Sequence, residues 1–382
     1  MTLELSQLTQ QVETMGKAAA ERQDAYADLV RLARQWLASY ADQGEKLRDG
    51  ARSGREAAIP TAEPLDGVFP LPEIPEKLTV AAADGSQIQP DRHGAALYYM
   101  INIGSMVYRH GSGEAPEARS EATLGYTEDD LYENGSPVSG NLLDIRRDLG
   151  ELRRLADVCE EEAPSPTVAL VDGSIVLWVL RDRPPGARKE KVEAYLEQLD
   201  RIRRAGGIVG GFISRPGYNE VTGLLHLASL DGNRKKAEKE PNPFQHLPDR
   251  AVFANLPSGA RSALFVSPKE TSQRDYGQHE VHFFYLNLVQ EGEQPVIARV
   301  EAPAWVVEDP AKLDILHGAI VAQARIMGDY PYALARADEL AYISSQERAA
   351  LEEMVSTALM RAGVRSTPSP KAYYKRLTRR GF

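Results

Sequence analysis

Apolar positions in the first 56 residues recur at helical intervals: Leu3, Leu8, Val12, Met15, Ala19, Tyr26, Leu29, Leu32, Ala33, Trp36 and Leu37, with polar residues between. The spacing predicts a helical region over 1–56 whose stripe must be covered by the rest of the chain or by a second copy of it. Residues 57–76 contain Pro60, Pro64, Pro70, Pro72 and Pro75 and no period, which predicts a linker or an irregular wrap. From residue 77 to the end, short apolar runs alternate with helical stripes. A strand over Leu78–Ala83 stops at Asp84-Gly85-Ser86. Ala95–Tyr108 reads as strand or hairpin, and 111–140 as a Gly-, Glu- and Ser-rich loop. A helix over 141–161 buries Ile145, Leu149, Leu152 and Ala156 and ends before Pro164 and Pro166. A second strand, Thr167–Val171, again stops at Asp-Gly-Ser, residues 172–174.

Residues 175–204 read as helical on both sides of a break at Pro184-Pro185-Gly186. Gly207–Ile213 is a strand closing in Ser214-Arg215-Pro216; a helix around 218–230 and a polar loop over 231–250 follow. Val281–Leu288 and Pro295–Val300 form a hairpin, and the C-terminal third is helical, with starts at Asp309-Pro310 and after Asp329-Tyr330-Pro331. Strands alternating with helices predict an α/β fold in which helices flank a sheet.

Composition narrows the class. The chain has 382 residues and 42% apolar residues, enough for a large core. No run approaches the ~20 apolar residues of a membrane span, and the polar start lacks the basic and apolar regions of a signal peptide. A cytoplasmic location is therefore expected. A single cysteine, Cys159, rules out an intrachain disulfide framework and a thiolate zinc site, and reads as a small apolar group on a helix. The net charge of −10 argues against a protein that coats nucleic acid non-specifically. It leaves room for an enzyme whose acids are offset by bound cations.

The repeated strand–Asp-Gly-Ser carries the chemistry. A strand ending in Asp puts a carboxylate at the sheet rim, Gly lets the backbone turn or approach closely, and Ser can cap or meet a phosphate. Each copy alone reads more simply as an Asx turn; two copies on adjacent strands would make a pair of rim carboxylates. Glu151, on the flank of the buried stripe of helix 141–161, can reach toward them, or it can be an exposed Glu paired with Arg147 or Arg154. Acid on strand, hairpin, acid on helix, acid on a second strand is an RNase H-like order. Such carboxylates repel one another, and Mg²⁺ or Mn²⁺ relieves the repulsion. Two such metals ~3.5–4 Å apart can cleave a phosphodiester.

The stretches AAADGSQI (81–88), RRDLGELRRL (146–155), VALVDGSI (168–175), GGFISRP (210–216), FFYLNL (283–288), IARVEAPAWV (297–306) and GDYPYALARADELA (328–341) resemble NurA nucleases. The resemblance implies an RNase H/PIWI-like mixed sheet over 77–382, with helical extensions at both ends. It implies Mn²⁺- or Mg²⁺-dependent cleavage of DNA, 5′–3′ on ends and endonucleolytic on single strands. The expected assembly is a homodimer that docks on the hexameric ATPase HerA in DNA end processing. By the same resemblance Asp84, Glu151 and Asp172 match the metal-binding acids, and Tyr330 the tyrosine of a Tyr-Pro segment. Asp338 stands where many members carry a metal-binding His, which would make a site of four acids holding two ions. The competing reading is a catalytically weak adaptor that docks on the ATPase and shapes the DNA path.

Other candidates are less specific. Arg215 can hold a phosphate or be a solvated loop arginine. Phe284, with Phe283 and Tyr285, can stack bases or fill the core. Lys375 and Arg379, with Lys371, Arg376, Arg380, Tyr373 and Tyr374, can grip DNA or form a solvated tail. His279 and His282 read as strand-edge or surface residues, and RKKAEKE (234–240) as an exposed loop.

Overall fold

A computed structural model of the chain describes residues 5–54, 56–92, 94–133, 135–177, 185–289 and 292–364. It opens with α1 (Thr9–Ser39), α2 (Gly44–Arg52), β1 (Ile59–Pro60), β2 (Val68–Phe69), β3 (Leu78–Ile88), β4 (Tyr99–His110) and β5 (Glu117–Gly125). Then come α3 (Glu128–Leu131), β6 (Tyr132–Glu133), β7 (Ser136–Pro137), α4 (Gly140–Glu162), β8 (Thr167–Asp172), α5 (Pro185–Arg204) and β9 (Ile208–Ile213). These are followed by α6 (Glu220–Ser229), α7 (Arg234–Ala237), α8 (Asp249–Val252), β10 (Arg261–Ser262), β11 (Phe265–Val266), α9 (Glu270–Asp275), β12 (Val281–Asn287) and β13 (Ile297–Pro303). The chain closes on α10 (Ala304–Val307), α11 (Pro310–Met327), α12 (Tyr332–Ala341) and α13 (Ser345–Arg361). Among the described residues no helix is long and apolar enough to cross a membrane.

The chain forms two compact units, each built from separate stretches. One contains residues 1–72 and 212–308, the other 73–211 and 309–382. This partition cuts across the contiguous division at 56 and 76 expected from the sequence.

In the second unit β3, β4 and β5 form an antiparallel meander, and β8 lies parallel to β3 on its other side. With β9 beyond β8 the order is β9-β8-β3-β4-β5, a mixed sheet in the RNase H-type arrangement. β5 lies inside the stretch 111–140 that its Gly, Glu and Ser content marks as loop. Seven of its nine residues are exposed, so it carries no apolar alternation to read. The helix α4 opens on Ser139, whose side chain accepts from Leu142 N, and buries Leu142, Ile145, Leu152 and Leu155. It packs on β3, β4 and β8, while α12 packs on β3 and β4. Ala81, Ala82 and Ala83 are fully buried, and their small side chains let both helices come close to β3. Cys159 is buried on α4, and burial pushes its thiol up to about 12, an unreactive group. Of the stretch expected to be helical before the proline break, 175–177 is irregular and 178–184 lies outside the described residues. The helix after the break is α5.

The first unit packs the C-terminal half of α1 with α2 and α6 against β11, β12 and β13; Leu37, Leu47, Ile59, Leu225, Phe244, Phe265 and Phe283 share one core. Residues 57–72 are a wrap with two short strands: β1 pairs with β11 and β2 with β10. The first turns of α1 are uncovered, leaving Leu8, Val12, Met15 and Tyr26 exposed. His279 and His282 are buried rather than peripheral; His279 Nδ1 accepts from Trp305 Nε1 at 3.0 Å. The run 234–240 is exposed, as expected, around the single turn α7.

A closed charge network lies inside this unit. Arg299 is fully buried and binds Glu220 at 2.7 Å and Glu301 at 2.9 Å, with its guanidinium 3.6 Å above the Phe283 ring centre. Lys269 adds a second cation on Glu220 at 2.7 Å. Removing one partner of such a set strands a buried charge, at a cost of ~3–5 kcal/mol. Arg299→Met should therefore lower the unfolding free energy by about that amount in urea denaturation. A loss under ~1 kcal/mol would mean that the network contributes little.

Candidate active site

Register places the two rim acids. The parallel ladder of β3 and β8 ends at Ala83↔Val171, so Asp84 and Asp172 are the next residues on neighbouring strands. Here the expectation that β3 stops at Ala83 fails. The strand runs on to Ile88 because β4 continues to pair with it, with Asp84 opposite Gly104 and Gly85 opposite Ile103. The two Asp-Gly-Ser copies thus differ. Gly173 has φ +99 and makes a real turn, whereas Gly85 is strand.

Gly85 serves by having no side chain. A Cβ there would lie 2.7 Å from Glu151 Oε1 and collide with Arg147 Cγ, so its absence lets α4 bring Glu151 to the strand edge. Gly104 does the same on the opposite face. A Cβ there would run into the Ala337 carbonyl oxygen and the Ala341 nitrogen, so α12 lies directly on β4. Asp84, opposite Gly104 in an antiparallel pair, points to the α12 face, and Asp338 of α12 comes within hydrogen-bonding reach of it.

α12 is tied at both ends. At its start Ala333 N donates to Gln323 Oε1 at 2.9 Å. At its end Asn102 Nδ2 donates to the carbonyls of Leu340 (3.1 Å) and Ala341 (2.9 Å), and the Ser86 hydroxyl donates to the Ala341 carbonyl. Ser86, read from sequence as a cap or phosphate contact, is a fastener of α12. Arg336 pairs with Glu339, so Asp338 is not engaged by that arginine.

The acids press on one another. Burial pushes the Asp84 carboxyl up to about 6, helped by the charges of Asp172 and Asp338 and opposed by the Gly85 N–H, which donates at 2.7 Å. Burial pushes Glu151 up to about 8; Asp148, Asp84 and Asp172 add to this, and Arg147 opposes it. Asp172 is raised, first by burial and then by Asp338, against a hydrogen bond from the Tyr330 hydroxyl. The Tyr330 hydroxyl is itself held well above the usual phenol range by burial and by Asp172. Asp84, Asp172, Asp338 and Tyr330 are thus within electrostatic reach of one another, and Glu151 is within reach of Asp84 and Asp172.

The set suits a hard divalent cation: it is all oxygen donors with excess negative charge. Glu151 Oε1 is buried and accepts no hydrogen bond, although Arg147 Nε lies 3.3 Å away. Among the described residues no three such groups are already arranged to hold a metal ion. The carboxyls are engaged by Arg147, by Gly85 N–H, by Tyr330 and by one another.

Glu151 lies beside Arg147, as one reading had it, but it is buried rather than exposed and is within electrostatic reach of the rim acids. Asp144 and Asp148 carry no motif of their own in the sequence, though they share a helix face with Glu151 at spacings of seven and three. Arg147 contacts Asp148 at 3.0 Å, and Asp144 accepts from Gln87 Nε2 at 2.8 Å. Phe284, with Phe283 and Tyr285, is fully buried in β12 and cannot stack a base. Arg215 belongs to the other unit and is exposed, with φ +47. Lys375 and Arg379 lie outside the described residues.

A mixed sheet with carboxyl groups gathered at the ends of two parallel strands defines the class: an α/β protein of RNase H-like architecture with an acid-lined site. The NurA domain model matches residues 78–343, well over half of the chain, and the chain belongs to the NurA family. It is similar to a crystal structure of NurA bound to dAMP and manganese, with 13% identity, coverage of 94% of this chain and 98% of that one, and TM-score 0.42. A second NurA crystal structure gives 12% identity, 92% and 98% coverage and TM-score 0.42. The catalytic domain of human Endonuclease V gives 13%, 86% and 97%, and 0.32. At these values membership rests on the family model alone. Comparison with curated proteins finds no match.

Raised acids have a thermodynamic signature. Asp84 and Glu151 ionise near about 6 and about 8 when folded, against ~3.9 and ~4.3 in an unfolded chain. The folded state therefore holds these protons more tightly. Their contribution is full at low pH and is lost as pH rises through 6 and 8. In EDTA, Glu151→Gln should raise the melting temperature relative to wild type near pH 8 and much less near pH 5. In saturating Mn²⁺ the difference should reverse, because ionised ligands are then stabilised. Thermal scans with equal destabilisation at every pH, with and without Mn²⁺, would contradict this account of Glu151.

Proposed function

We propose that the protein is a divalent-metal-dependent deoxyribonuclease acting on DNA ends and single strands by a two-metal mechanism. In this reading it works as a two-fold homodimer alongside a HerA-type hexameric ATPase. The observation that carries it is the convergence of Asp84, Glu151, Asp172 and Asp338 from two strands and two helices. Strained, partly buried acids with one nearby arginine are a poor structural device and a good cation site. NurA membership supports DNA as substrate and the ATPase as partner. The exposed Leu8, just before α1, and Val12 and Met15 on it support a second copy, which would cover them.

Bound, a pair of Mn²⁺ or Mg²⁺ ions would supply an acidified water and charge for the leaving oxygen. Asp84 and Asp172 offer oxygens from adjacent strands, Glu151 from the α4 face and Asp338 from the α12 face. The Tyr330 hydroxyl, bonded to Asp172, orients that carboxylate.

Purified protein should degrade linear single-stranded DNA with Mn²⁺ and stop with EDTA. Asp84→Ala, Asp172→Ala and Asp338→Ala should each cut the rate by at least ~100-fold while the protein stays folded. Asp338→His should keep part of the activity, favour Mn²⁺ further over Mg²⁺, and fail at higher pH than wild type, because imidazole must be neutral to bind metal. Wild-type cleavage by Asp338→Ala would remove Asp338 from the ligand set. Wild-type protein without Mn²⁺-dependent cleavage would favour the adaptor reading.

A further inference from the structure

The unit formed by residues 1–72 and 212–308 contains a cleft of about 1070 Å³, lined by four arginines: Arg31, Arg34, Arg215 and Arg250. Tyr26 and Ile297 also line it, and no aspartate or glutamate does. The chain as a whole carries a net charge of −10, so a cleft with four cations and no acid runs against the bulk composition. Arg31 is the one with a carboxylate partner, Asp28 at 2.7 Å, and both are exposed. Arg34 is pinned by two neutral groups, donating from Nε to the Val252 carbonyl at 2.8 Å and from Nη2 to the Ala251 carbonyl at 3.0 Å. Its orientation is fixed and its charge is left uncompensated. Arg215 and Arg250 are exposed. Among the described residues no carboxylate pairs with Arg34, Arg215 or Arg250.

Arg215 carries a second signal. Its φ of +47 places a non-glycine residue in the left-handed region, a strained conformation for a side chain with a Cβ. Such strain persists where the surroundings impose it, and here it sets an arginine at the cleft. The lining offers charge with an aromatic ring at hand, as strand-binding grooves do.

We propose that this cleft is a binding track for the sugar–phosphate backbone of a single nucleic-acid strand, with Arg34, Arg215 and Arg250 facing successive phosphates and Tyr26 available to a base. This rests on the nucleic-acid reading above and adds a binding site in a unit that holds none of the candidate catalytic acids.

The test measures binding of a fluorescent single-stranded oligonucleotide in EDTA, where cleavage cannot intervene. The double variant R215A/R250A is compared with wild type and with K235A/K236A, which removes two exposed cations of α7 outside the cleft. The expected result is at least ~10-fold weaker binding for R215A/R250A, and a slope of log affinity against log salt reduced by ~0.7 for each phosphate that is no longer neutralised. Its melting temperature and the binding by K235A/K236A should match wild type. Unchanged affinity and slope in R215A/R250A would overturn the proposal. So would inorganic pyrophosphate displacing the oligonucleotide where sodium chloride of equal ionic strength does not, which would assign the cleft to a small phosphate. Mn²⁺-dependent hydrolysis of bis(p-nitrophenyl) phosphate, too small to need a strand track, separates the two readings. Its absence in wild type counts against the nuclease, while weakened oligonucleotide binding in R215A/R250A still supports the cleft.

Discussion

Crowding of anions at the ends of two in-register parallel strands is the constraint on which the site depends. Asp84 and Asp172 follow the last rung of the β3–β8 ladder, so the backbone leaves them no freedom to separate. Adding Glu151 and Asp338 raises the electrostatic cost, and the upward shifts at Asp84, Glu151 and Asp172 record it. The surrounding structure must then hold both helices against that repulsion. Two missing side chains, at Gly85 and Gly104, let α4 and α12 touch the sheet. Asn102, Ser86 and Gln323 fasten α12 by its backbone.

The other unit treats buried charge in the opposite way. Glu220 and Glu301 meet Arg299 and Lys269, and the set closes on itself inside an aromatic shell. Asp249, though fully buried, accepts from Val221 N, Thr222 N and the Tyr285 hydroxyl. Those acids have partners enough to be structural. In the carboxyl cluster, among the described residues, the one cation set against Glu151 is Arg147, and the imbalance marks the cluster as a place for a cation from outside the chain.

Much of this was legible in the residues. A strand ending in Asp, twice, is a local signal, and it gave the rim pair. The 3.6-residue period put Glu151 on the flank of the stripe of α4, and Pro331 fixed the phase of the helix that carries Asp338. What was missed is non-local or lacks a pattern. β5 is almost wholly exposed, so its register with β4 is set by pairing and not by alternation. The run 283–285 reads more readily as core than as a base-stacking platform, and burial decides for core. Ser86 looks like a turn residue until α12, more than 200 residues on, is laid across the sheet. The arginine cleft joins residues 31, 34, 215 and 250, which no window along the chain brings together.

The most direct measurement is the anomalous scattering of Mn²⁺ in crystals grown or soaked with the ion. The account predicts strong peaks within about 2.0–2.6 Å of carboxylate oxygens of Asp84 and Asp172, with Glu151 or Asp338 completing each shell. Manganese bound elsewhere, or no peak at this cluster at saturating concentration, would contradict the claim that these acids form a cation site.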